Sequence, residues 1–339
     1  MRIVRADVAD RATTRACYEI TQEAADVDDP DGPPWSPQRI QGWLEHPTDP
    51  SEVWLAVDEA SGAYHGWCYL VLPERENRDR ANLWVDVRPS FRRRGTGTAL
   101  LRNAAERAAA AGRSVLSSEA FQGSAGAAFA ARLGAAAGLE EARRVLVLAE
   151  IPPGRIASLR AAAAQAAAGY SLVRWNGRTP EEYLARCAEV ENAMADAPHD
   201  EGDEPAVWDA DRFRTEIDDV REARGRHVYT LAALHDASGE MAAVTAVEAD
   251  PDSRAWGHQQ ITAVTRKHRG HRLGLLVKTA MLEWLAEAEP QFERIMTYNA
   301  AVNDHMIAIN SELGYRLLEP LAQSYELGVG AALAATGQR

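Results

Sequence analysis

Cysteine is scarce in this chain, and its three copies, Cys17, Cys68 and Cys187, lie far apart. An odd, widely spaced set supports neither a disulfide framework nor a metal-ligand spacing, so packed and reduced thiols are expected. Long apolar runs are missing too: none approaches the roughly 20 residues that a membrane-spanning helix needs. The opening Met1-Arg-Ile-Val-Arg-Ala-Asp lacks the apolar centre of a secretory leader. These absences predict a cytoplasmic protein without a membrane partner. An excess of basic charge is also missing, since 37 Lys and Arg face 50 Asp and Glu for a formal charge of −13. That balance argues against nucleic-acid binding, which calls for an extended basic surface. It suits an amine-bearing partner, and equally a surface that keeps a protein dissolved.

What the chain does contain is a doubled motif. Around Arg92 it reads Val87-Arg-Pro-Ser-Phe-Arg-Arg-Arg-Gly95-Thr-Gly97-Thr98, and around Arg269 it reads Val264-Thr-Arg-Lys-His-Arg-Gly270-His-Arg-Leu-Gly274. In each copy an apolar strand runs into a Gly- and Arg-rich turn followed by an amphipathic helix. Such a turn aims several backbone N–H groups and a positive helix end at one spot, which suits a pyrophosphate. The repetition extends further. Ala60-Ser61-Gly62 recurs as Ala237-Ser238-Gly239 (239 − 62 = 177), Gly97 recurs as Gly274 (274 − 97 = 177), and Leu133-Gly134 recurs as Leu313-Gly314 at an offset of 180. A nearly constant offset over separate features identifies a tandem repeat. A length of 339 residues accommodates two domains of ordinary size.

Hydrophobic periodicity and turn chemistry give both halves the order β-α-α-β-β-β-α-β-α-β. The fold class is therefore α/β with a mixed sheet: two tandem domains, each a central mixed β-sheet flanked by helices. The first is expected over 1–150 and the second over 170–330, joined by an Ala-rich connector at 151–169. One helix is expected from Ala210 to Arg224, and the unit ends on a strand from Ser324 to Leu327. An acidic loop is expected from Asp196 to Asp209, and the acidic stretches from Asp26 to Asp31 and from Asp200 to Asp211 read as solvated loops or as attractors for a cationic acceptor. Trp35, Trp43, Trp54, Trp67 and Trp84 read as core, with an apolar acceptor pocket as the alternative.

On these motifs the sequence resembles the GNAT superfamily of acyl-CoA-dependent N-acyltransferases, over most of 1–150 and 170–330. It looks most like the tandem members of high-GC actinobacteria, a group that includes mycothiol synthase. The resemblance implies acetyl-CoA as cosubstrate, with its pyrophosphate on the Arg/Gln-x-x-Gly-x-Gly/Ala turn. That assigns Val87, Arg92, Arg93, Arg94, Gly95, Thr96, Gly97 and Thr98 in the first unit. In the second it assigns Val264, Arg269, Gly270, His271, Arg272, Leu273 and Gly274, with Arg272 standing where a central glycine is expected. Asn303 fits the family's cofactor-contacting Asn. Asn310 replaces the Tyr that serves as general acid, while Gly123 and Ala130 occupy those two places in the first unit. The second unit thus keeps more of the active-site end and is expected to hold catalysis. Glu248 and His258 are the candidate general bases, with Gln259 and Gln260 where a carboxylate would be looked for. The implied partner is a small-molecule primary amine, handled by a monomer or homodimer. A non-catalytic acyl-CoA-binding protein and a transferase for longer acyl groups remain alternatives.

Overall fold

The computed structural model describes residues 1–196, 198–200, 202–252 and 254–337. The chain forms two compact units, and neither is a contiguous stretch. The first comprises Met1–Glu141, His199–Glu204 and the chain from Glu319 onward; the second comprises Ala142–Pro198 and Pro205–Leu318. The sequence places a single break at 151–169, whereas each unit here takes its last strand from the other half of the chain.

Unit 1 contains β1 (Arg2–Arg5), α1 (Arg11–Asp28), α2 (Pro37–Glu45), β2 (Ser51–Val57), β3 (Tyr64–Val71), β4 (Arg80–Val87), α3 (Thr96–Ala110), β5 (Val115–Phe121) and α4 (Ala125–Leu133). The first part of β6 (Ala136–Val147) also belongs to it. Helix α1 starts where the Asp10 side chain accepts from the Ala12 N–H, and it buries Ala16, Cys17, Ile20 and Ala24 at helical spacing. Helix α2 begins behind the Ser36 cap with Pro37 at its first turn. Strands β2, β3 and β4 pair antiparallel. Strand β4 runs parallel to β5 only from Arg80↔Val115 to Asn82↔Ser117, so its second half diverges before the Arg-rich turn. Helix α3 buries Leu100, Leu101, Ala104, Ala105 and Ala108 against this sheet.

Three carboxylates share one part of this unit. Burial raises the pKa of Glu119, and Asp200 raises it further. Glu141 is pushed up to about 7, first by burial and then by the charges of Glu119 and Asp200. Its folded pKa lies above the ordinary 4.5, so the folded state binds the proton more tightly. The stabilising contribution is full below about pH 4.5 and is lost as pH rises through about 7. Glu141→Gln should therefore raise the melting temperature at pH 8 and leave it little changed at pH 4.5. Equal shifts at both pH values would refute the assignment.

Unit 2 adds α5 (Arg155–Ala166), β7 (Tyr170–Asn176), α6 (Glu181–Asn192), α7 (Ala210–Arg212), α8 (Asp219–Ala223), β8 (His227–His235), β9 (Met241–Ala249), β10 (Trp256–Val264), α9 (Leu273–Ala288), β11 (Arg294–Ala300) and α10 (Asp304–Leu313). Strand β12 (Arg316–Gly328) begins here, but its later residues, Ala322↔Phe121 to Gly328↔Val115, pair with β5 of unit 1. Helix α11 (Val329–Gly337), with Val329 and Ala332 in the unit 1 core, follows it. The exchange replaces the expectation that 170–330 closes on its own last strand. The expected connector is also structural: Leu159, Ala163 and Ala167 are buried with Leu275, Leu276 and Leu282 in the unit 2 core. The single helix expected over 210–224 is interrupted by a π-helical segment at Phe213–Asp218. Of the acidic stretch 196–209, residues 197 and 201 lie outside the described residues.

Strands β8 and β9 are buried almost throughout, and α9 lies on them with its first ten residues, Leu273 to Leu282, all buried. One of those ten is Lys278. It is 2 % exposed, its Nζ has no hydrogen-bond partner among the described residues, and it sits 4.9 Å from the centre of the Tyr315 ring.

Candidate functional site

The two turns have the same backbone. In unit 1 the left-handed positions are Arg93 (φ 63°) and Gly95 (φ 88°); in unit 2 they are Gly270 (φ 89°) and Arg272 (φ 53°). At the 177 offset Gly95 corresponds to Arg272, and Arg93 to Gly270. Arginine at the expected glycine position therefore keeps the turn geometry at the cost of backbone strain, and its side chain leaves the turn to bond Glu312 at 2.6 Å. In both copies the leading arginine hooks back on the strand: Arg92 Nε donates to the Val87 carbonyl at 3.2 Å and Arg269 Nε to that of Val264 at 3.3 Å. Among the described residues no short, well-aligned backbone bond engages the N–H groups of residues 93–98 or 270–275. Each turn thus offers a run of uncommitted donors at a positive helix end, the arrangement an anion requires.

What differs is the surrounding charge. Arg92 is engaged by Asp28 through two bonds, of 3.0 and 2.6 Å. Arg94 lies over the Phe91 ring at 5.3 Å, Thr96 is buried, and Gly97 faces Val87 and Phe129.

In unit 2 the turn opens onto a cleft of about 660 Å³, within the usual range for small-molecule sites. Its walls bring together Val264, Arg269, Gly270, Arg272, Leu273, Gly274 and Asn303, seven of the eight second-unit residues assigned from sequence. His271 is absent from the lining, and its ring packs 5.4 Å from that of Tyr170. Thr262 and Ala263, Met194, and His305, Met306 and Ile309 of α10 complete most of the surface.

The cleft exists because β10 leaves β11. The two strands pair in parallel only from Trp256↔Arg294 to Gln259↔Thr297. There β10 also carries one extra residue against β9, since Gln259 faces Val247 and Thr262 faces Thr245. The Gln259 amide secures the bulge by donating to Thr245 Oγ1 at 2.9 Å and to the Ala246 carbonyl at 2.7 Å. Gln259, noted in the sequence only as a missing carboxylate, thus holds the strand in its opened form. Asn303 caps α10 by accepting from the Met306 N–H at 3.2 Å. Its Nδ2 has no partner among the described residues and offers two donors to the cleft. Asn310 is fully buried, donating from Nδ2 to Asn299 Oδ1 at 2.7 Å, and its own Oδ1 has no partner among the described residues.

Neither candidate base lines this cleft. Glu248 and His258 face each other across β9 and β10, and His258 precedes Thr262 by about 13 Å of strand. Glu248 is buried and held by Arg221 Nε at 2.6 Å. His258 Nε2 lies 3.5 Å from Asp250 Oδ2, and Asp250 is itself bonded by Arg226. Asp250 belongs to no local motif, because its contact with His258 is set by the fold and not by sequence spacing.

The splayed mixed sheets and the strand–turn–helix elements have the fold of a tandem GNAT protein. Residues 14–135 match the Acetyltransferase (GNAT) family. Over 97% of this chain and 98% of the other, it is similar to a tandem GNAT protein from the clavulanic acid biosynthesis pathway, at 28% identity and a TM-score of 0.81. It shares its fold with a GCN5-related N-acetyltransferase from Sphaerobacter thermophilus (15% identity, TM-score 0.66, 97% and 95% of the two chains). It also shares its fold with a glucosamine N-acetyltransferase region of a fungal multi-domain β-N-acetylglucosaminidase (15% identity, TM-score 0.62, 96% and 38%). No curated protein matches the sequence. No helix among the described residues is long and apolar enough to cross a membrane.

Proposed function

We propose that the chain is an N-acetyltransferase that takes acetyl-CoA in the unit 2 cleft and transfers the acetyl group to a primary amine of a small molecule. The observation that carries this reading is the convergence of seven turn and helix residues on one cleft beside six uncommitted N–H groups. The turn would hold the pyrophosphate, and the freed edge of β10 would hold the pantetheine arm. Acetyl-CoA would supply an activated thioester. The chain's own task is then to orient an amine, remove its proton and keep water away. His258, oriented by Asp250, is the better base of the two, because Glu248 is committed to Arg221.

His258→Ala should lower kcat by about a hundredfold while acetyl-CoA affinity stays within about twofold, since His258 lies outside the cleft lining. Calorimetry with acetyl-CoA and an assay of free CoA release against a panel of primary amines test both parts. Unchanged turnover in His258→Ala would remove it as base. Because both turns carry the same run of donors, two molecules of acetyl-CoA per chain are expected; one alone would mean that Asp28 withdraws Arg92 from ligand binding. A second reading, an acyl-CoA-binding protein without turnover, is favoured by the burial of Asn310 where the resemblance calls for a hydroxyl. Tight binding with no CoA release from any amine would select it.

A further inference from the structure

The left-handed positions of the two turns are filled in opposite ways. Unit 1 places Arg93 and then Gly95 there, whereas unit 2 places Gly270 and then Arg272. A residue with a Cβ is strained at such a position, and strain of this kind persists where the side chain has a task. Arg272 is the N-cap residue of α9, so its guanidinium starts at the positive helix end that an anion would approach. Its Nη2 is instead committed to Glu312 Oε1, at 2.6 Å. Arg93 has no ion-pair partner among the described residues.

Glu312 is equally out of place. Among the described residues it is the one carboxylate lining the unit 2 cleft, alongside Arg269 and Arg272. It lies in the last turn of α10, whose end is negative and disfavours a carboxylate. At the 180 offset that relates Leu313 to Leu133, its counterpart in unit 1 is Arg132 (312 − 180 = 132), whose guanidinium lies 5.3 Å from the centre of the Phe129 ring. The backbone that carries Glu312 is anchored, since Arg155 Nη2 donates to its carbonyl at 3.0 Å. The paired side chains of Arg272 and Glu312 keep 42% and 36% of their surface exposed, so packing does not lock them and the guanidinium is able to change partners.

We propose that Glu312 is a specificity-determining residue of this cleft: it holds Arg272 until a diphosphate group takes the guanidinium from it. A diphosphate can rest one phosphoryl group on the N–H groups of the turn and offer the other to the planar fork of Arg272. A single phosphate has to choose between the two, so it gains little from the arginine. The strained arginine and the carboxylate at a negative helix end then form one latch, with no counterpart in unit 1, where Gly95 and Arg132 stand in their places. The latch rests on the acyl-CoA reading of the cleft for its natural ligand, and it is measurable with a diphosphate alone.

Calorimetric titration of the full chain with inorganic pyrophosphate, and with orthophosphate for comparison, tests the latch. The unit 1 turn is unaltered in every variant and supplies the reference site. Glu312→Gln should tighten pyrophosphate binding at one site about three- to fivefold, the range that an exposed ion pair can withhold. Orthophosphate should stay within about twofold. Arg272→Gly should weaken pyrophosphate binding about fivefold. Adding Glu312→Gln to Arg272→Gly should then change little, because no guanidinium is left to release; a carboxylate that merely repels the ligand would help equally in both backgrounds when removed. Arg272→Gly relieves the left-handed strain and Glu312→Gln keeps the shape of the side chain, so both variants should fold. No pyrophosphate binding by the native chain, no tightening in Glu312→Gln, or equal tightening with and without Arg272 would overturn the proposal. The expected pyrophosphate pattern without any acetyl-CoA binding would support the latch and sink the acyl-CoA reading instead.

Discussion

Replacing Lys278 by methionine is expected to stabilise the protein by on the order of 4 kcal/mol at pH 7, read from a denaturant midpoint. Burial lowers the Lys278 pKa from 10.5 to about 7, and each unit of such a shift corresponds to about 1.4 kcal/mol. The native state must surrender a proton that the unfolded chain keeps between these values. The stabilising contribution is thus present above about pH 10.5, shrinks as pH falls, and is gone below about 7. No carboxylate among the described residues is bonded to Nζ to repay the cost, and the Tyr315 ring lies 4.9 Å from it. Methionine keeps the length of the side chain and a favourable contact with that ring, so no large cavity opens. The advantage of Lys278→Met should diminish by about 1.4 kcal/mol per pH unit from 7 towards 10. A pH-independent difference, or a loss of stability, would show that Lys278 has a counter-ion in solution.

Lys278 also marks where sequence reading stops. The chain has two lysines, Lys267 and Lys278. Only the first lies on the surface. On α9 a lysine among leucines reads as one solvated position on an amphipathic helix; its burial follows from α9 being covered on nearly every side. The two turns were legible because their chemistry is local: the glycines, the leading arginine and the following helix fall within a dozen residues. At Arg272, where a glycine is expected, the arginine itself adopts the left-handed backbone, which no residue pattern announces. The exchange of final strands was not legible. The pattern of β12 specifies a strand with a buried side, and nothing in that pattern names β5 as its neighbour.

The unequal halves lead to the second large effect, a pair of substitutions at equivalent glycines. A Cβ at Gly274 would lie 3.1 Å from Ile309 Cδ1 and 3.8 Å from Val264 Cγ2, within the cleft wall. Phenylalanine there would fill the space between β10 and α10 that an acyl-CoA must enter. Overpacking of this kind costs about 1–3 kcal/mol in a closed core, but the open cleft accepts the ring at the ligand's expense. Gly274→Phe should therefore fold normally and lose about a hundredfold or more in kcat/KM. At Gly97 the nearest atoms to a Cβ are Val87 Cγ2 at 3.8 Å and Phe129 Cζ at 3.9 Å. Gly97→Phe should block the turn of unit 1 in the same way, yet leave turnover within about threefold, because the proposed chemistry sits in unit 2. Each variant should also remove one acetyl-CoA from the calorimetric count. If Gly97→Phe alone abolished turnover, catalysis would belong to unit 1.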